Sequence, residues 1–189
     1  MSANSLQELY LEQLRDLFDA EQQIIKALPK MIASARSDKL RDALTGHLEI
    51  TRKQADRVEN ICQELGEDAK REKCKGMEGV LKEGSDLVGD ISNKEVRDAA
   101  IIAAAQRVEH YEMAGYGTAR TYATLLGYDE AASALEQTLE EEKEADETLS
   151  GLAEQLNREA LKSERAERKQ KEDAKTARGT KSNSRKRVA

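Results

Sequence analysis

Glu109 and Glu112 are the side chains whose type and spacing most suggest chemistry. They lie three residues apart in an alanine-rich stretch, Ala103 to Gly117, that reads as one helix. The apolar repeat through it runs Ile101, Ala105, Val108, Glu112, Gly115, Ala119, Tyr122 and Leu126, so an acid occupies a core position. Burying an ionised carboxylate without a partner is very costly. A metal ion, a salt bridge or a solvated pocket must compensate it.

Three further stripes show the same interruption. Tyr10, Leu14, Leu17, Glu21, Ile24, Leu28 and Met31 carry one acid at mid-length. Leu40, Leu44, His47, Thr51, Gln54, Val58, Ile61 and Leu65 are apolar at both ends and polar between. Leu135, Leu139, Glu142, Asp146, Leu149, Ala153 and Leu156 are acidic in the middle. Bundle di-metal sites take a Glu from each of two helices and Glu-x-x-His from the other two. Carboxylate oxygens neutralise divalent ions there, and an imidazole leaves the chemistry tunable. The candidate metal ligands are therefore Glu21, Glu109, Glu112, Glu142, Asp146 and His47. The competing readings are a solvated acidic face for Glu142 and Asp146, which sit in an acidic run, and a hydrogen-bonded core histidine for His47. His110 points away from this layer. Tyr111, Tyr116 and Tyr122 are packing residues or electron relays, and no organic cofactor site is read.

The elements that must carry these residues follow from caps and breakers. Ser5 with Glu8 three residues on makes a capping-box signal for a first helix reaching about Ser37, bent at Pro29. Asp38 can cap a second helix that stops at Gly66, and the short turn between makes the pair antiparallel. A weaker, glycine-punctuated helical segment from Cys74 to about Asp90 suits a crossover returning the chain to the end where the second helix began. A third long helix spans about Asn93 to Leu126, and after the turn Gly127-Tyr128-Asp129 a fourth spans about Glu130 to Glu159. The two hairpins look like copies shifted by 91 positions: Glu21 falls on Glu112, Leu14 on Ala105, Leu44 on Leu135 and Thr51 on Glu142. The architecture is all-α, a four-helix bundle of ferritin-like connectivity with one polar layer crossing it.

Composition agrees with charged long helices: 36% of the 189 residues are charged and proline occurs once. Residues 162–189 hold 11 Lys/Arg against 4 Asp/Glu, and the preceding 161 residues hold 20 against 33, an acidic body with a basic tail. The tail has almost no apolar residue and cannot offset the entropy of ordering, which predicts frayed helix passing into disorder beyond Leu161. The domain division is thus 1–161 for the bundle and 162–189 for the tail. Cys62 and Cys74 have no CxxC spacing and suit a reducing compartment. The N-terminus lacks a secretory pattern and no run is long enough to span a membrane, so a cytoplasmic protein is expected.

Several separated blocks resemble the YciF/YciE-like bacterial stress proteins: AEQQIIKALPKM, HLEITRKQADRVE, KCKGMEGVLKEG, EVRDAAIIAAAQRVEHYEMAGYGTA and LEQTLEEEKEADETL. The resemblance covers about residues 5–158 and implies a ferritin-like bundle, usually a cytoplasmic homodimer. Similarity to rubrerythrin-like proteins of that superfamily implies a di-iron site. Their third helix offers Glu-x-x-Glu, which Glu109 and Glu112 reproduce. Their fourth offers a Glu and a His, where this chain has Glu142 and Asp146. Their second offers Glu-x-x-His, which Glu49-Ile50-Thr51-Arg52 does not supply; Ile50 stands where family members often carry Glu.

Two classes of function emerge. One is a stress-associated protein with a carboxylate-rich site for iron, as a di-iron pair, or for manganese or zinc, oxidising Fe(II) or removing peroxide as a ferroxidase- or peroxidase-like enzyme. The other is a non-enzymatic structural or interaction bundle whose polar layer stays metal-free. The tail adds a third reading, weak and nonspecific contact with nucleic-acid phosphates through residues 162–189, against a purely solubilising role.

Overall fold

In the computed structural model the described residues are 3–70 and 73–185, with backbone alone for 174 and 176–185. They form five helices: α1 (Leu6–Ser34), α2 (Asp38–Glu64), α3 (Lys75–Gly89), α4 (Lys94–Leu126) and α5 (Asp129–Arg185). Local signals set most boundaries. The Ser5 hydroxyl accepts from the Glu8 amide at 3.1 Å, and Asn93 caps α4 by accepting from Val96 N at 3.0 Å. Gly66 and Gly127 take positive φ, 74° and 77°, at the ends of α2 and α4, a left-handed conformation that glycine adopts without steric cost.

α1 and α2 form one hairpin, α4 and α5 the other, and α3 lies against α1 and α4. Asp98, in the first turns of α4, accepts from the amides of Arg36 and Ser37 at 2.7 and 2.9 Å. The start of α4 therefore sits beside the end of α1, and the crossover through α3 returns the chain along the bundle as its length implies. The same contact explains why α1 stops at Ser34, short of Ser37. Asp98 takes amides that a further turn would have bonded internally. Helix α1 runs unbroken through Pro29. At α2 the cap is Ser37, whose hydroxyl accepts from Leu40 N at 3.4 Å; Asp38 is the first helical residue and pairs with Arg41.

Two apolar clusters make the core. One gathers Ile24, Leu28, Leu40, Leu44, Ile101 and Leu149, and the other gathers Tyr10, Leu14, Val58, Tyr116, Ala119 and Leu135. The helices approach closely where small residues allow it. A Cβ on Gly115 would come within 2.7 Å of Leu17 Cδ2, so glycine at 115 is what lets α1 seat against α4.

The fourth bundle helix departs from the length that its apolar stripe implies. Its backbone stays helical past Glu159 and Leu161 to Arg185. Asn93 donates to Ser163 Oγ at 3.1 Å and to Glu167 Oε1 at 2.6 Å, tying the first extra turns to the start of α4. Lys, Arg, Glu and Ala are good helix formers, and Arg168 pairs with Glu172 one turn on. Side chains from Glu164 to Asp173 are all exposed, so this extension adds nothing to the core. Residues 186–189, part of the proposed nucleic-acid contact, lie outside the described residues. No described helix is long and apolar enough to cross a membrane.

Candidate metal centre

Between the two apolar clusters each bundle helix turns polar side chains inward. Glu21 comes from α1, His47, Thr51 and Gln54 from α2, Glu109 and Glu112 from α4, and Glu142 from α5. Glu21, Glu112 and Glu142 are 0% exposed, Glu109 is 2% and His47 is 8%. The registers follow from helix periodicity. Glu109 and Glu112 are three residues apart and share a face, and Glu142 occupies the position that Leu135 and Leu139 set two turns and one turn earlier.

His47, Glu109, Glu112 and Glu142 each bring one ligand atom into a group whose members all lie within 4.8 Å of one another. His47 Nε2 is 3.5 Å from Glu109 Oε2 without a hydrogen bond between them. The donor set fits a divalent cation, and the unpaired atoms are the reason. Both oxygens of Glu112, both ring nitrogens of His47, and one oxygen each of Glu21, Glu109 and Glu142 are buried without a hydrogen-bond partner among the described residues. Buried polar atoms are otherwise almost always satisfied. Ligands about 2.1 Å from an ion lie within about 4.2 Å of each other, so small side-chain rotations close the group.

The electrostatics state the same need. Burial first, and then the neighbouring Glu142, hold the Glu21 carboxyl well above the usual carboxylate range, although Tyr116 donates to it. Burial raises Glu109 and Glu112 likewise, with further upward pushes on both from Glu142 and Glu21. Burial lowers His47, which favours the neutral imidazole that binds metal. The layer thus holds protons that a cation would displace.

The other expected residues are placed as follows. Glu21 adjoins the four-residue group beside Glu112 and Glu142, and the buried Tyr116 hydroxyl donates to it. Asp146 stands apart. It is half-buried, accepts from Gln106 at 3.0 Å, and lies 3.4 Å from Nε2 of the exposed His110. One turn beyond Glu142, its shorter side chain meets the α4–α5 seam and not the layer's centre. On the α2 wall Gln54 Oε1, like the His47 nitrogens, has no partner among the described residues, but two other groups are engaged. Thr51 donates to its own helix at His47 O, 2.8 Å, and Gln54 donates to Glu142 and, at 3.2 Å, to Glu141.

Sequence reasoning missed the outer support. Arg57 clamps Glu141 with two hydrogen bonds of 3.0 Å and also donates to Thr138. Burial would raise Glu141, but the Arg57 contacts hold it below the ordinary range. Arg57 lies one turn from Gln54 on α2, the only hint the sequence offered. Tyr116, four residues after Glu112, carried a clearer signal, because a buried phenol needs a partner.

A family model described as a domain of unknown function, DUF892, matches residues 5–162. Protein YciF of Escherichia coli strain K12 is 42% identical over 154 residues, covering 81% of this chain and 93% of that protein. The crystal structure of the E. coli stress protein YciF superposes with a TM-score of 0.79 at 41% identity, covering 82% of this chain and 99% of that one. A putative structural protein from Rhodopseudomonas palustris, YcfI, gives 0.76 at 43% identity, over 79% and 97%. A Xanthomonas campestris protein at 18% identity shares the fold, with a TM-score of 0.70 over 85% and 99%. With a family model covering most of its length and a relative this similar, the chain belongs to the DUF892 family.

Proposed function

We propose that the mid-bundle layer is a divalent-cation site, iron before manganese or zinc, and that the protein acts in a bacterial stress response by oxidising Fe(II) at the expense of peroxide. The observation that carries this reading is the set of buried, unpaired carboxylate and imidazole atoms on four helices. Glu21, Glu109, Glu112 and Glu142 together balance the charge of two divalent ions, and an oxygen-rich set with one imidazole suits iron. Iron bound there supplies one-electron chemistry. With Fe(II) as substrate, two ions give one electron each to one peroxide, which with two protons leaves as two waters. The protein's own part is to exclude bulk water through the apolar clusters and to keep His47 neutral. Gln54 and Tyr116 orient Glu142 and Glu21, and the raised carboxyls release protons as cations enter. The relative from E. coli is described as a stress protein, which supports the physiological part of the proposal.

A second reading, a non-enzymatic structural bundle, draws support from α2. Gln54 gives Glu142 a donor without any metal, and the R. palustris relative is described as a putative structural protein. Elemental analysis after purification from iron- and manganese-supplemented cells separates the two, together with Fe(II) oxidation assayed with and without peroxide. The proposal expects at least one ion per chain and peroxide-dependent oxidation lost in Glu112→Gln. Trace metal and no oxidation above buffer would leave the structural reading.

A further inference from the structure

A hollow of about 290 Å³ lies between α1, α3 and α4, closed on the fourth side by Leu44 and His47 of α2. Its walls are apolar, with Leu28, Leu44, Ile101 and Val108 all buried. Bundle cores are close-packed and seldom contain a void much larger than a water molecule, so a space of this size has a structural cause. Helix α3 touches α4 at Gly84, where a Cβ would come within 2.9 Å of Ala104 Cβ. Beside that close crossing Ala27 and Ala105 are too short to fill the gap, and both line it.

The hollow has two distinct ends. Lys30, Glu78 and Lys82 line it and are exposed, so that end meets solvent. At the other end are His47 and Glu109, both more than nine-tenths buried. Neither ring nitrogen of His47 nor Oε2 of Glu109 has a hydrogen-bond partner among the described residues. Between a polar mouth and a polar inner end the hollow has an apolar middle, shaped for a molecule that water does not compete to replace. Water in that middle stretch would find few polar partners, and an apolar cavity of about 150 Å³ stays dry and takes up benzene.

We infer that this hollow is a binding site for an uncharged apolar molecule about the size of two fused aromatic rings, held against Leu28, Leu44, Ile101 and Val108. The walls give it dispersion contact that the empty space forfeits. Small residues on α3 and α4 set the length, and Leu28 and Leu44 set the width. The binding itself does not depend on a cation.

The test uses the full chain and 1-fluoronaphthalene as probe, followed by fluorine NMR. Saturable binding is expected with a dissociation constant on the order of 10–100 µM, a modest value per ligand atom. Ala105→Leu fills the hollow from α4, and Leu81→Trp narrows it from the half-buried face of α3; each should weaken binding at least tenfold, with helical content checked by circular dichroism. If Ala105→Leu does not fold, Leu81→Trp decides. Manganese titration of the same proteins reads the other proposal separately: a chain that binds the probe but no cation sinks the metal reading and keeps this one. No saturable shift in the unaltered chain overturns the inference, as does undiminished affinity in a folded cavity-filling variant.

Discussion

Replacing Glu112 by glutamine separates the two demands that the polar layer makes on stability. Without metal, Glu112 is wholly buried, neither of its oxygens accepts a hydrogen bond among the described residues, and it shares its surroundings with Glu21, Glu109 and Glu142. Glutamine keeps the shape, removes an acid, and adds two N–H donors. Unpaired oxygens of Glu21, Glu109 and Glu142 are there to accept them. Leaving a buried polar group unsatisfied costs about 1–3 kcal/mol, so Glu112→Gln should stabilise the metal-free protein by a similar amount. For a chain of this length that raises the melting temperature by roughly 2–12 °C. With metal the order should reverse. A cation at a hundredfold excess over its dissociation constant adds about 2.7 kcal/mol to the stability of a protein that binds it only when folded. The variant has lost a ligand and should gain little. Melts followed by circular dichroism in EDTA and in manganese chloride give all four values. A variant that melts lower than the parent in EDTA would refute the unsatisfied-carboxylate argument, and a full-sized manganese shift in the variant would refute Glu112 as a ligand.

Three other perturbations test separate parts of the account. In EDTA the melting temperature should fall as pH rises above about 4.3. Glu21, Glu109 and Glu112 have folded-state values raised above their unfolded ones near about 4.3, so the stability they lend is full below that pH and is lost as pH rises. His47, lowered on folding, works the other way below about pH 6.5, as one group against three. A slope unchanged in Glu112→Gln would contradict the assignment. Tyr116→Phe removes the donor to Glu21 and should cost about 1–2 kcal/mol, measured by urea denaturation; a neutral result would mean the phenol is not that carboxyl's support. Asp98→Ala strips the acceptors from Arg36 N and Ser37 N and should cost about 2–4 kcal/mol, with Asp98→Asn losing less; equal losses would point to packing at that corner.

The bundle was legible because its signals are local. Stripes such as Leu40–Leu44–Val58–Ile61 set which face of a helix is buried, short turns at Ser37 and Gly127 force antiparallel neighbours, and the 91-residue shift that maps Glu21 onto Glu112 ties the hairpins together. The buried acids could be read for the same reason, since a charge inside an apolar stripe is visible in one dimension. Asp146 was harder. A four-residue step keeps it on nearly the same face as Glu142, and only the meeting of α4 with α5 shows Gln106 and His110 waiting for it. The roles of Thr51 and Gln54 depend on which way each side chain rotates, a choice that spacing does not record. The hollow beside His47 was invisible because it arises from the mutual distances of three helices, set by Gly84 against Ala104. No apolar stripe marks the end of α5, because charged residues with high helix propensity continue the helix past the core.

The central claim is that the four-helix polar layer is a cation site. Crystals of the full chain grown with iron or manganese, measured on both sides of the metal's absorption edge, test it directly. An anomalous peak is expected at the bundle's centre, within coordination distance of His47, Glu109, Glu112 and Glu142. A layer that shows no peak, with Glu112 hydrogen-bonded to water or to a protonated neighbour, would contradict it.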